Sequence, residues 1–370
     1  MAHKVMIFSS VHQYDDSRVF HKEAKSLAEA GYVVELHALA DFTRKEEAGV
    51  RIVGVKRQNK RWKRLLLGWQ LYKRALKSGA DIYHFHDPEL LPWGYLIKLR
   101  TGSPVIYDSH EDLPKQIYTK QWIPAPLRKP ISKMVERIEK GLAKRLTAVI
   151  TATESIQQQF KQVSRVEVIK NYPLKMNHIQ VDSSEKNIIL YVGGISYLRG
   201  FREMVQMMDY IPPHLKAELH LIGPVQHIDE QELDRDQLAK KNITWHGRVP
   251  FDEVKKWLSK GKVGLVCLHP IENYRESLPI KMFEYMAAGL PLVATDFPLW
   301  KEIIHTSKCG ETCDAYDPQD IAKKVTGILE DHEKQMAMGE SGRKAFEELY
   351  NWKTQEQKLI HLYRDLLPKD

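Results

Sequence analysis

The sequence predicts an α/β protein made of two doubly wound parallel-sheet domains in series, and three observations point that way. At 370 residues the chain is longer than one ordinary core holds, and two domains of usual size fit it. Short apolar, β-branched runs alternate with helical patterns from the start. The same alternation restarts after one polar segment near the middle, residues 174–186, LKMNHIQVDSSEK.

Strand-like runs fall first at residues 4–9, 33–40, 82–86, 105–109 and 148–153. Most are apolar on both faces, as strands covered by helices should be. A helical pattern at 20–30 stops at Gly31, and the next strand begins at once. Beyond the polar segment, strands are expected at 188–193, 218–222, 243–246, 263–267 and 292–295. Residues 1–172 then form a first domain and 183–349 a second. Ligands of open parallel sheets sit at the carboxyl ends of the strands. Two such sheets facing each other would enclose a cleft, which makes the polar residues just past each strand the candidates for chemistry.

Composition narrows the function classes. With 43% hydrophobic and 28% charged residues the chain reads as an ordinary globular protein. No run approaches the ~18 consecutive apolar residues of a membrane span. The opening MAHKVMIFSS lacks the pattern of a signal peptide and reads as a strand. Cys267, Cys309 and Cys313 have no CxxC spacing, and no His/Cys run completes a zinc pattern. Reduced thiols in a cytoplasmic setting are therefore expected. The net charge of +8 is uneven: the first 180 residues carry 31 Lys and Arg against 18 Asp and Glu. The first domain is thus expected to face something anionic.

The most informative segment is 275–296, RESLPIKMFEYMAAGLPLVATD. Ser277 is placed to cap a helix beginning near Leu278, with Gly289 and Pro291 stopping it and a strand following. Glu276 then sits just outside the helix N-terminus and Glu284 one or two turns inside. Free N–H groups and the positive dipole end suit a diphosphate. Lys281, in the first turn, opposes the dipole, a placement better explained by an anionic ligand. Glu284, among Met282, Phe283, Tyr285 and Met286, would be half-buried, and ribose hydroxyls would satisfy it. The spacing alone fits equally well an amphipathic helix with two solvated glutamates.

Glu276 and Glu284 form the E-x7-E signature, and the segment resembles that of retaining GT-B glycosyltransferases of the family 4 (group 1) type. VGGISYLRG, HLIGP, ITWHGRVP, IKNYP and YHFHDPEL fall in that family's usual order, so the resemblance covers nearly the whole chain. It implies two Rossmann-like domains facing across a cleft, with a final helix, 352–367, packing back on the first. It further implies that Glu284 binds the donor ribose. Glu276, with the backbone of Ser277, Leu278, Pro279 and Ile280, would contact donor-sugar hydroxyls. Basic side chains and the helix N-terminus would neutralise the leaving diphosphate without a metal or other cofactor.

The turn Gly193-Gly194 lets backbone approach the diphosphate, and Arg199 can reach it with a bidentate fork. Family members usually carry an arginine after the first glycine and a lysine before the later one. Here Gly194 and Arg199 stand there, and Lys281 is the candidate replacement for the missing cation. Arg248, after His246-Gly247, falls where relatives position the base. His84, His86 and His110 lie at strand ends, and alternation puts the first two on one face. His110 matches the family histidine that lies against the donor sugar, whereas His84 reads as structural and Asp87 as a turn cap. The catalytic set is then His110, Glu276, Arg199 and Lys281. Asp16, Arg18 and His86 are the acceptor-side candidates, in a chain without the family's usual Gly-Gly pair in its first loop.

Residues 56–77, KRQNKRWKRLLLGWQLYKRALK, join basic residues to aromatic ones at helical spacing, as a helix lying on an anionic membrane does. A second basic stretch with Trp122 and Leu127 spans 115–145. No nucleic-acid recognition module accompanies either. The resemblance implies sugar transfer from a nucleotide diphosphate to a hydroxyl acceptor, lipid-linked in many members, in surface polysaccharide or glycolipid synthesis on the inner membrane face. Competing readings are a nucleotide-sugar 2-epimerase and a catalytically silent scaffold that binds nucleotide and membrane.

Overall fold

The computed structural model describes residues 2–58, 61–110, 112–119, 122–176 and 186–367; of residues 61–65, 119, 230 and 251 it describes the backbone only. The chain divides into two compact units, Met1–Asn171 with Trp352–Asp370, and Tyr172–Asn351. Most of the polar segment at 174–186, together with Glu111, lies outside the described residues.

The first unit holds an eight-stranded sheet. Its strands are β1 (Lys4–Gln13), β2 (Val33–Leu39), β3 (Arg44–Glu47), β4 (Val50–Val55), β5 (Ile82–Phe85), β6 (Val105–Ser109), β7 (Ala148–Thr151) and β8 (Val166–Val168). They lie in the order β3-β4-β2-β1-β5-β6-β7-β8, and all pairs are parallel except β3 with β4. The chain leaves β1 toward one edge and returns on its other side through β5, so the strand order reverses between β1 and β5. Apolar side chains on both sheet faces explain why the strands read as unbroken apolar runs. One face packs through Phe8, Tyr83, Phe85 and Tyr107, the other through Ile7, Leu36, Ile82 and Ile106.

The helix expected at 20–30 begins as a wider π-helical turn, Val19–Ala24, and continues as the α-helix Lys25–Glu29. Strand β1 runs past Ser9 to Gln13, with an irregularity in its pairing after Phe8, so the expected first loop is partly strand. Strands β3, β4 and β8 were not anticipated. β3 is a charged edge strand, and the alternating burial of β4 is shorter than the runs that mark its neighbours.

The second unit has a six-stranded, all-parallel sheet: β9 (Ile188–Val192), β10 (Glu218–Ile222), β11 (Ile243–Gly247), β12 (Val263–Val266), β13 (Leu292–Thr295) and β14 (Gly310–Cys313). The order β11-β10-β9-β12-β13-β14 reverses between β9 and β12. Cys267, Cys309 and Cys313 are free and buried around this sheet. Each unit is therefore a doubly wound sheet with one topological switch point, the place where such sheets take ligands.

The helix Trp352–Leu366 belongs to the first unit. Trp352, Leu359, Leu362 and Tyr363 join the core beside Val5, Ile7 and Leu27, and Trp352 Nε1 donates to Ser26 Oγ at 2.9 Å. Trp352→Ala should lower stability by about 3–5 kcal/mol, the usual cost of emptying a buried tryptophan site. Urea unfolding followed by circular dichroism measures it, and a loss below about 1 kcal/mol would mean that the helix is not anchored there.

Candidate functional site

At the second unit's switch point, β9 runs into Gly193 and Gly194. Gly193 has φ +127°, and a Cβ built there would lie 3.0 Å from Lys281 Nζ. Gly223, after β10, has φ +145°, and its Cβ would fall 2.0 Å from the Gly193 carbonyl oxygen. A side chain at Gly223 would push the two turns apart, one at Gly193 would press on Lys281, and both positions hold a backbone φ that favours glycine. The Gly193 N–H donates to Ile222 O at 2.8 Å. The Gly194 carbonyl accepts from Tyr191 Oη at 2.7 Å and from Arg199 Nη1 at 3.1 Å.

The helix after Glu276 spans Ile280–Ala288, not from Leu278, and Ser277 does not cap it. Pro279 occupies the N-cap position and biases Leu278 away from helical backbone, so the helix starts later. Ser277 Oγ instead donates to Tyr274 O at 2.9 Å, while Ser277 O accepts from Trp300 Nε1 at 2.7 Å. Gly289, at φ +69°, ends the helix. Tyr285 fixes it to the sheet: its hydroxyl accepts from the Val192 N–H at 2.9 Å, and its ring fills the space a Cβ on Gly264 would need.

Lys281 turns back under the glycine turn. Its Nζ lies 3.6 Å from the centroid of the Tyr191 ring and is enclosed, without a hydrogen-bond partner among the described residues. Burial, reinforced by the nearby Arg199 charge, holds its ammonium well below the usual lysine range. An enclosed cation beside a second cation is a poor arrangement unless an anion joins them. Gly193, Gly194, Arg199 and Lys281 are thus brought together. Glu284 is half-buried and Glu276 exposed, with Leu278, Pro279 and Ile280 half-buried between them and Lys281. The Arg248 side chain is exposed, next to Gly247, whose carbonyl accepts from the Gly223 N–H at 2.8 Å.

The first unit's switch point is a buried charge cluster. Arg18 grips Asp108 Oδ2 through Nε at 2.9 Å and Nη2 at 2.7 Å, donates from Nη1 to Ile169 O at 3.1 Å, and lies 3.0 Å from Glu23 Oε1. Glu23, His84 and Asp108 are fully buried, and His86 is nearly so. His84 and His86 do share a face, with ring centroids 4.6 Å apart. Burial, then the Asp108 charge, pushes the Glu23 carboxyl well above the usual carboxylate range. At Asp108 burial acts in the same sense and is the largest single influence, but Arg18 together with His110 and His86 outweighs it and holds the carboxyl well below. Burial also lowers both imidazoles, His84 to about 4.

Toward the surface, His110 Nδ1 lies 3.4 Å from Asp108 Oδ1, and the ring is 5.1 Å from His12. Burial alone would raise the Asp16 carboxyl, but His12 at 3.2 Å and the Val19 N–H bring it down to about 2.

Of the three acceptor-side candidates, two are enclosed and Asp16 is half-buried. Arg18 and His86 are sealed inside the cluster and position other groups, while Asp16 accepts from the Arg18 and Val19 N–H groups and holds the turn. Asp87 is more than a turn cap: its Oδ2 accepts from Ser9 Oγ at 2.8 Å and the Ser10 N–H at 2.6 Å, which ties β1 to the end of β5. The sequence reading missed Glu23, Asp108, His12 and Tyr363. Two signals were available: Glu23 lies on the apolar face with Val19, Phe20 and Leu27, and Asp108 interrupts an apolar strand.

Comparison with known proteins fits both units. Residues 176–345 match the family described as glycosyl transferases group 1, and residues 17–172 match glycosyltransferase family 4. The chain is similar to the sulfoquinovosyl transferase SQD2 of Arabidopsis thaliana, at 23% identity over 80% of the chain, and spans 58% of that relative's length. Its fold resembles sucrose-phosphate synthase from Thermosynechococcus elongatus, with a TM-score of 0.76 and 17% identity, over 98% of this chain and 99% of the other. It also resembles HepE of Anabaena, solved in complex with UDP and glucose, with a TM-score of 0.74 and 14% identity, over 98% and 100%.

Removing the cluster's guanidinium tests how much of the first unit rests on it. Arg18→Met leaves two buried carboxylates without their cation and should cost about 3–5 kcal/mol. A loss under about 1 kcal/mol in urea unfolding would show that the cluster is neutralised some other way.

Proposed function

Because the chain belongs to the group 1, family 4 glycosyltransferases, we propose that it is a retaining enzyme moving a sugar from a nucleotide diphosphate to a hydroxyl acceptor. The observation that carries this reading is Lys281, enclosed beneath the Gly193–Gly194 turn with Arg199 beside it. In this reading the diphosphate lies against that turn, between Lys281, Arg199 and the start of the helix Ile280–Ala288. These groups stabilise the negative charge that develops as the sugar leaves, without a metal on the diphosphate. Lys281 gains a compensating charge when the diphosphate binds. Glu284 takes the ribose hydroxyls, Glu276 the sugar hydroxyls, and the backbone at Arg248 the base. The departing phosphate accepts the acceptor's proton; His110, with Asp108 Oδ1 3.4 Å away, is the remaining member of the proposed catalytic set. UDP in the similar HepE structure makes uridine the first base to try.

A thermal-shift screen of UDP, GDP, ADP, TDP and CMP should give a rise with one diphosphate, growing with ligand excess over its Kd. Glu284→Ala should abolish that rise, while Glu276→Ala should keep it and lose turnover by about 100-fold or more. Equal shifts for wild type and Glu284→Ala would sink the assignment, and binding without donor turnover would favour the silent scaffold.

The same reading sets the enzyme against the anionic inner face of a membrane. In the helix Arg61–Ser78, Leu67, Leu71 and Tyr72 are buried, whereas Leu66 and Trp69 are exposed. The rest of the stretch at 56–77, at Asn59, Lys60 and the side chains of residues 61–65, lies outside the described residues. The helix Ala125–Ala143 presents a clearer face: Leu127, Met134 and Ile138 are each at least half exposed, among exposed Lys129, Lys133 and Arg137. Such a surface inserts apolar side chains while its cations meet lipid phosphates. Vesicles containing phosphatidylserine should carry the protein upward in flotation at low salt, and Met134→Glu with Ile138→Glu should cut the bound fraction several-fold. Equal flotation with neutral and anionic vesicles would refute it.

A further inference from the structure

The first unit's buried cluster has more lone pairs than its own side chains satisfy. Arg18 supplies one positive charge against the two carboxylates Glu23 and Asp108. His84 and His86 add no charge when neutral. His84 Nε2, both nitrogens of His86 and both oxygens of Glu23 make no hydrogen bond among the described residues. The Arg18 contact accounts for Glu23 Oε1 electrostatically, which leaves Oε2 facing the imidazoles.

We propose that Glu23, His84 and His86, with Asp108 as a fourth, shared oxygen, form a binding site for a divalent transition metal of the zinc class. One donor atom from each of the four lies within 4.8 Å of all the others. Glu23 Oε2 is 3.4 Å from His86 Nε2 and 4.0 Å from His84 Nε2, and Asp108 Oδ2 is 4.0 Å from His84 Nε2. Ligands about 2.1 Å from a shared tetrahedral ion stand about 3.4 Å apart, so the donors need only a small contraction. Two imidazoles and a carboxylate suit zinc, iron(II) or cobalt(II) and do not suit magnesium or calcium.

The surroundings have the form that metal sites take. Tyr363 Oη is 2.8 Å from His84 Nδ1, which fixes the ring and leaves Nε2 directed at Glu23. Glu23 is presented by the π-helical turn Val19–Ala24, a rare widening frequent at functional sites. Alternation along β5 and beyond brings both histidines to the same face. The ion would hold together β5, β6, the first helix and the C-terminal helix, all of them in the first unit. Full burial means the ion is acquired as the chain folds.

The test uses the untagged full chain, expressed with added zinc or cobalt and also refolded from urea with zinc chloride or cobalt chloride alone. Plasma mass spectrometry after desalting should find one equivalent of metal, and the cobalt form should show the visible absorption of a tetrahedral site. His86→Asn should lose both. Tyr363→Phe, which keeps the ring, should weaken zinc binding by about 10- to 100-fold while nucleotide-induced thermal shift stays unchanged. A folded wild type that holds less than about a tenth of an equivalent by either route overturns the proposal and assigns the missing charge to a proton. The same metal content in wild type and His86→Asn overturns it as well.

Discussion

The first unit depends on the bidentate grip of Arg18 on Asp108. A parallel sheet with helices on both faces has a dry interior, and an isolated carboxylate there would take a proton instead of staying charged. Arg18 lets Asp108 remain an anion at the end of β6, and the same guanidinium lies 3.0 Å from Glu23. Its third donor reaches Ile169 O, so one side chain ties the first helix to β6 and to the segment after β8. Once Asp108 is held, His110 beyond it has a fixed partner at 3.4 Å. The more exposed end of the cluster is thus set by its most buried ion pair.

The second unit reaches a defined site by a different route, through backbone. Gly223 approaches Gly193 so closely that it leaves no room for a Cβ, and the Tyr285 hydroxyl fixes the helix Ile280–Ala288 against β9. Little side-chain chemistry is spent on shape. The polar groups that remain, Arg199 and Lys281, converge on one turn. On the proposed reading this division follows from the ligand: a diphosphate is read well by N–H groups and cations, so glycines that expose backbone would serve it.

That difference explains what was legible in the sequence. The second unit's site is written in contiguous runs, VGGISYLRG and RESLPIKMFE, where glycine, proline and charge patterns speak directly about turns and helix ends. Even there the Pro279 effect moved the helix start by two residues, because a serine near a helix start resembles a cap whether or not it makes the bond. The first unit's cluster draws on positions 18, 23, 84, 86, 108 and 363, so no local pattern contains it. Arg18 and His86 looked available as polar residues past strand ends, and only packing reveals that both are enclosed. Strand β3 escaped because a charged edge strand has no apolar signature.

Both switch points share one electrostatic feature with opposite sign. In the second unit burial and the Arg199 charge work against the ammonium form of the enclosed Lys281 at a turn shaped by glycines. In the first, Glu23 and Asp108 outnumber the one guanidinium that serves them. Uncompensated charge in a dry setting costs several kcal/mol per group, so a stable fold keeps it only where something returns that energy. An anion can do so at Lys281, because a diphosphate carries the opposite charge and enough oxygens for both cations. A cation, whether metal or proton, can do so at Glu23. On the readings proposed above, the sign of the imbalance therefore selects the class of ligand at each switch point.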